Sequence, residues 1–330
     1  MDRKIMSIRI KKLRHFSYCL LFFVFSWGCS IERKETKDMD ARLLWDAKAM
    51  LGEGAFWHHG EKRLYWVDIE GKKLHIFDPI ARADRAFLLD EKIGTVVPLD
   101  SGGGAVVALK NGIHKLDLET EKLRLLVHPA AHEAGNRYND GKCDPAGRLW
   151  VGTIGETGSA ALYRINAAGK SKMMIDSVTI SNGIVWSKDN MTMYYIDTPT
   201  KTVVAYSYDV KTGEISKPKV VVTVPEGMGS PDGMAIDAED KLWIGHWGGA
   251  CVARWDPITG NMMRKIEVPA LNVTSCAFGG ENLDILYITT ASIGMNAEET
   301  AKYPLSGGLF VADPGVAGVK SYLFKTSVDE

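Results

Sequence analysis

The sequence predicts an all-β chain closed into a six-bladed β-propeller, with four-stranded antiparallel blades around a central channel. Three observations predict it. Six short β-branched segments recur: YWVD around Val67, AVVA around Val107, LWVG around Val151, YYID around Ile196, LWIG around Ile244 and LYIT around Ile288. The steps between them are 40, 44, 45, 48 and 44 residues, the period of a propeller blade. No helical pattern of comparable length interrupts the series.

Each repeat carries its own punctuation. A turn-rich stretch precedes every anchor, from Gly60-Glu61-Lys62 in the first repeat to Gly279-Gly280-Glu281 in the last. Four anchors are followed by a third strand that runs to an Asp: Asp78, Asp117, Asp209 and Asp256. Closing the ring removes the sheet edges that invite aggregation. Arg42-Leu43-Leu44-Trp45 and Ser321-Tyr322-Leu323-Phe324 are the expected closing pair, one from each end of the chain.

The first 28 residues read as an export signal and lie outside the propeller. Arg3, Lys4, Arg9, Lys11, Lys12 and Arg14 form a basic leader, and the run from Tyr18 to Trp27 is almost entirely apolar. That run is too short to span a bilayer as a helix. Gly28-Cys29 follows as a lipoprotein-like cleavage site, so Cys29 is expected to carry lipid, and residues 29–40 form a tether. Export across the inner membrane follows, with the protein anchored facing the periplasm or at the outer membrane, or otherwise periplasmic or secreted. The expected domain plan is therefore 1–28 signal, 29–40 anchor and tether, 41–330 propeller.

The full chain has 40 Lys+Arg against 41 Asp+Glu. Removing residues 1–28 takes six basic groups and one acid, leaving 34 against 40. Such a chain lacks the basic footprint of a nucleic-acid binder, and its only expected route to a membrane is the lipid anchor. Cys143, Cys251 and Cys276 remain after the leader; they lack metal-ligand spacing and read as small buried hydrophobes. His246-Trp247 reads as satisfied or surface structure rather than as site. His58-His59 and His132-Glu133 lack zinc spacing. The tryptophans sit mostly at strand positions and read as packing. Neither a nucleophile elbow nor a phosphate or dinucleotide loop occurs.

Polar groups converge at the start of the innermost strands. Glu53-Gly54, Asp140-Gly141, Asn182-Gly183 and Asp232-Gly233 each place a polar residue and a glycine before an apolar strand. Their separations of 87, 42 and 50 residues put them at one height on four blades. Glycine lets backbone crowd the axis. Carboxylates gathered in one narrow mouth repel each other and desolvate at high cost, which a cation relieves. Oxygen donors suit a hard ion: calcium first, with magnesium or manganese open.

At these residues the sequence resembles the gluconolactonase/regucalcin family (senescence marker protein, SMP-30/gluconolactonase/LRE-like). The matching strings are LGEGAFW at 51–57, GNRYNDGKCDPAGRLWVGT at 135–153, ISNGIVWS at 180–187, MYYIDT at 193–198, SPDGMAID at 230–237, DKLWIG at 240–245 and TSCAFGG at 274–280. The resemblance implies a divalent metal, zinc also being possible, held by Glu53, Asn182 and Asp232. It places Arg137 and Asn139 against the substrate and makes Asp232 the catalytic base. It implies metal-dependent hydrolysis of a small ester ring, a sugar lactone. An arylesterase or organophosphate hydrolase on the same site, or a non-catalytic calcium-binding propeller, are the alternatives. Two departures stand out: Ala55 replaces the usual proline, and the loop GETGSAAL is short, leaving Glu156 as its only acid for substrate hydroxyls.

Overall fold

The computed structural model describes residues 40–133 and 135–327. They form six four-stranded antiparallel sheets, one per repeat. The inner strands are Gly52–His58, Ile93–Pro98, Arg137–Cys143, Ser181–Trp186, Ser230–Ile236 and Asn272–Gly279. Every sequence anchor falls in a second strand: Arg63–Asp68, Gly104–Leu109, Leu149–Ile154, Thr192–Asp197, Leu242–Trp247 and Ile285–Ala291. These second strands are buried almost throughout, which explains their near-continuous apolar runs. Trp66, Trp150 and Trp243 are fully enclosed between blades.

The recurring Asp has a local reason. Asp78 Oδ1 accepts the backbone N–H of Ile80 and Ala81. Asp117 does the same for Glu119 and Thr120, and Asp209 for Lys211 and Thr212. An Asx turn thus starts each hairpin between third and fourth strands. Blade three uses Asn166, which accepts from Ala168 and Lys170. Blades three and five repeat a second device: Asp144 and Asp237 each cap a turn and accept the indole N–H of Trp150 and Trp243 at 2.8 Å.

Ring closure differs from the expectation. Arg42–Trp45 is the outer strand of blade six, but its partner is Leu309–Ala312, with Leu43 opposite Phe310. That partner is the blade's third strand, displaced from its anchor by the connection 292–308 and its helix Ala297–Lys302. The helix starts on a capping box, with Asn296 accepting from the Glu299 N–H and Glu299 accepting from the Asn296 N–H. Residues 318–326 do not join the blade. They run beneath the ring as a strap: Gly318 N–H binds Leu283 O, Val319 binds Ile236 O, Tyr322 bridges to Cys143, and Phe324 binds Pro98 O. The Phe324 side chain is fully buried.

The leader, Cys29 and the tether up to residue 39 lie outside the described residues. Among those described, no helix is long and apolar enough to cross a membrane.

Candidate active site

All six inner strands break register against their second strands near the channel mouth: between Glu53 and Phe56, Ile93 and Val96, Tyr138 and Gly141, Ser181 and Ile184, Pro231 and Met234, and Val273 and Ser275. A bulge re-aims side chains and frees them from the regular alternation. In blades one, three, four and five it falls on the polar–glycine pairs. The glycines are required by crowding: a Cβ on Gly183 would lie 2.7 Å from Asp232 O, and Gly54 has φ of +62°. The pair also supplies an anchor. Glu53 accepts the Gly54 N–H at 3.1 Å and Asp140 the Gly141 N–H at 2.8 Å, and Asp232 is bonded to Gly233 N–H.

Those bonds leave the acids undercompensated. Glu53, Asp140 and Asp232 are all buried. Burial, reinforced by the charge of Asp140, pushes the Glu53 carboxyl up to about 8. Asp232 is raised well above the usual carboxylate range by burial, then by Glu53 and Asp140. Asp140 is raised by burial and eased by Lys142. Asp140 Oδ2 and Asp232 Oδ1 are enclosed with no hydrogen-bond partner. Lys142, whose ammonium bonds Met234 O, and Arg137 are the cations that act on this cluster.

A chain of hydrogen bonds joins the remaining predicted residues. Arg137 Nη1 donates to Tyr138 O at 3.0 Å and to Asn139 Oδ1 at 2.7 Å. Asn139 Nδ2 donates to Ser181 O at 2.8 Å and Asn182 Oδ1 at 3.1 Å. Asn182 Nδ2 donates to Thr198 Oγ1 at 2.8 Å, and Thr198 donates to Pro231 O, next to Asp232, at 2.8 Å. The network fixes the Asn182 amide with one oxygen lone pair uncommitted. Burial lowers the Arg137 guanidinium, while Glu53, Glu70 and Asp232 pull it back.

These residues suit a hard cation. Two orphaned carboxylate oxygens and a fixed amide oxygen are the donors such an ion takes. Among the described residues no three His, Cys, Asp or Glu side chains stand close enough to hold a metal by themselves. A cation here needs the Asn182 oxygen beside the Glu53 and Asp232 carboxylates, and no geometry beyond that is implied.

The structure thus gathers Glu53, Arg137, Asn139, Asn182 and Asp232. It does not bring in Glu156, which is exposed on the turn after the second strand of blade three and whose carbonyl caps Ser159. Sequence reasoning passed over three residues. Thr198 orients Asn182, and its place beside the YYID anchor was the available signal. Lys142 eases Glu53 and Asp140 in part from within the same conspicuous string. Glu133 was given no role, yet it accepts from Thr153 Oγ1 at 2.6 Å, Asn136 Nδ2 at 2.8 Å and the Tyr163 hydroxyl, holding the loop that leads into Arg137. His246 is fully buried, bonded to Met228 O and stacked on Trp255. Cys143, Cys251 and Cys276 are free and buried.

Comparison with known proteins gives the family. The family described as SMP-30/Gluconolactonase/LRE-like region matches residues 51–292. A Bacillus subtilis (strain 168) protein named "Putative sugar lactone lactonase YvrE" is 41% identical over 293 residues, covering 88% of this chain and 100% of its own. Human regucalcin is 36% identical over 282 residues, covering 83% of this chain and 94% of its own. A crystal structure from Agrobacterium tumefaciens strain C58, described as a calcium-binding protein, regucalcin, superposes with a TM-score of 0.82 at 27% identity, over 87% of this chain and 97% of that one. With the propeller, the register of polar–glycine pairs and these relatives together, the chain belongs to the SMP-30/gluconolactonase/LRE-like family.

Proposed function

We propose that the protein is a metal-dependent hydrolase that opens a sugar lactone at the mouth of its channel. The observation that carries the reading is the buried cluster of Glu53, Asp140 and Asp232, in which Asp140 Oδ2 and Asp232 Oδ1 meet no hydrogen-bond donor, beside an Asn182 amide fixed by Asn139 and, through it, by Arg137. A relative bearing the name of a sugar lactone lactonase supports the substrate class. Glu53, Asn182 and Asp232 would hold the ion, calcium by donor chemistry. When bound, it supplies Lewis acidity to an ester carbonyl and offsets the charge that develops there. Asp232 takes the proton of the attacking water. Its depleted hydrogen bonding keeps it basic, and general-base help contributes about 10²–10⁴-fold. Arg137 and Asn139 orient ring oxygens and hydroxyls, the positioning part of the rate.

The test is a panel of aldonolactones, aryl esters and phosphotriesters assayed after chelation, with Ca²⁺, Mg²⁺, Mn²⁺ or Zn²⁺ restored singly. Lactone turnover that depends on an ion and vanishes in Asp232→Asn supports the reading. Aryl ester or phosphotriester turnover in its place would assign the site to an arylesterase or organophosphate hydrolase. Ion binding without turnover of any substrate would favour a second reading, a calcium-binding propeller, for which the description of the Agrobacterium relative speaks.

A further inference from the structure

An open cleft of about 510 Å³ lies beside Arg137, and its charged lining is Lys72, Lys92, Lys110, Arg137, Asp90 and Glu91. An adjoining cavity of about 130 Å³ shares Lys110 and Arg137. With Glu70, which pairs with Lys92, four cations stand against three acids, a small local excess in a chain whose formal net charge is −1.

The groups are not equally committed. Lys72 donates to Asp90 O at 2.9 Å and Lys92 to Glu70 at 2.7 Å. Glu91 is drawn to the N–H of Asn111 at 3.0 Å. Lys110 sits exposed on the turn between second and third strands of blade two, and no acceptor meets its ammonium among the described residues. Arg137 spends Nη1 on Tyr138 O and Asn139, which leaves Nη2 without a protein acceptor. The Arg137 guanidinium, with Nη2 uncommitted to any acceptor among the described residues, and the Lys110 ammonium therefore line the same space, a pairing that takes oxyanions.

We propose that this cleft is a subsite for an anionic substituent, phosphate or carboxylate, on the lactone whose ring lies at Glu53, Asn182 and Asp232. The inference rests on the lactonase reading for its geometry. Arg137 joins the two places: its Nη1 side holds Asn139 and the ring site, and its other edge meets the anion. Lys110 supplies the second contact, while Lys72, bonded only to a neutral carbonyl, adds to the field.

The experiment compares kcat/KM for glucono-1,5-lactone, 6-phosphoglucono-1,5-lactone and glucaro-1,4-lactone in the wild type, Lys110→Ala and Lys110→Glu. In parallel, calorimetry measures binding of gluconate and 6-phosphogluconate, which needs no turnover. The expected result is a preference for at least one anionic lactone; which one identifies phosphate or carboxylate as the ligand. Lys110→Ala should narrow that preference roughly fivefold, the upper range for one partly exposed charge pair, and Lys110→Glu should narrow it further. Tighter binding of 6-phosphogluconate than gluconate, lost in Lys110→Glu, supports the subsite even if no lactone is hydrolysed; that outcome would sink the lactonase reading alone. Hydrolysis of glucono-1,5-lactone without any anionic preference, with equal binding of the two acids, overturns the subsite and leaves the lactonase reading standing.

Discussion

Glu53→Gln separates the cost of the site from its use. The substitution keeps side-chain volume and removes one buried charge. Gln can still accept the Gly54 N–H, and its amide can donate to an orphaned oxygen of Asp140 or Asp232. In the metal-free protein burial and Asp140 lift the Glu53 carboxyl from 4.5 to about 8. A carboxyl raised on folding binds more protons in the native state between those two values. Its contribution is complete below pH 4.5 and is lost as pH rises through 8. The ceiling is on the order of 5 kcal/mol, and water entry lowers it. Thermal melts in chelator at pH 6 and pH 9 read the effect. The wild type should melt lower at pH 9, and Glu53→Gln should exceed it there by several degrees, at roughly 2–4 °C per kcal/mol. Calcium should raise the wild type and leave Glu53→Gln unmoved, with hydrolysis abolished in the variant. A chelated wild type whose melting is flat from pH 5 to 9, or a Glu53→Gln protein less stable than wild type at pH 9, would refute the reasoning.

Three further outcomes follow from the same structure, and a fourth from the sequence of the leader. Asp232→Ala should lose calcium binding and hydrolysis together, whereas Arg137→Ala should keep the ion and raise KM or lower kcat; loss of the ion in both would show that Arg137 does not stand outside the ligand set. Burial lowers His246 to about 4, so its contribution is present above pH 6.5 and is lost as pH falls towards 4, by about 3 kcal/mol at most; melts of His246→Gln should show a flatter acid limb. Phe324→Ala should cost about 3–5 kcal/mol in denaturant unfolding, and a loss below 1 kcal/mol would deny the strap a part in stability. Mass spectrometry of the mature protein should find a lipidated Cys29 at its N-terminus; an unmodified chain starting elsewhere excludes the anchor.

What could be read in the sequence was whatever repeats. The anchors at Val67, Val107, Val151, Ile196, Ile244 and Ile288 all fell in second strands because that position is buried on both faces in every blade. The polar–glycine pairs were legible for a related reason: four of the six blades place the same residue types at the same bulge. Features made once left no such trace. Leu309–Ala312 was missed as a third strand because residues 292–308 displace it from its anchor. Ser321–Phe324 looks like a strand, yet its apolar residues serve to cross beneath the ring. The bonds of Thr198 and Glu133 join residues 33 and 20 positions apart, which a local pattern cannot show.

The closing strand also sets a timetable for folding. Arg42–Trp45 belongs to the start of the chain, and its partner Leu309–Ala312 is made some 264 residues later. At ribosomal elongation rates that interval is roughly 15–50 s. Throughout it, blades one to five can form in order while the first strand waits as an unpaired edge. The loop it must close is nearly the whole propeller, a slow step by topology. The strap comes later still, with Phe324 a further 15 residues beyond Leu309. Synthesis therefore delivers both fastenings of the ring only after blades one to five are made, and a chain cut short before Leu309 keeps most of its blades but has nothing to shut them with.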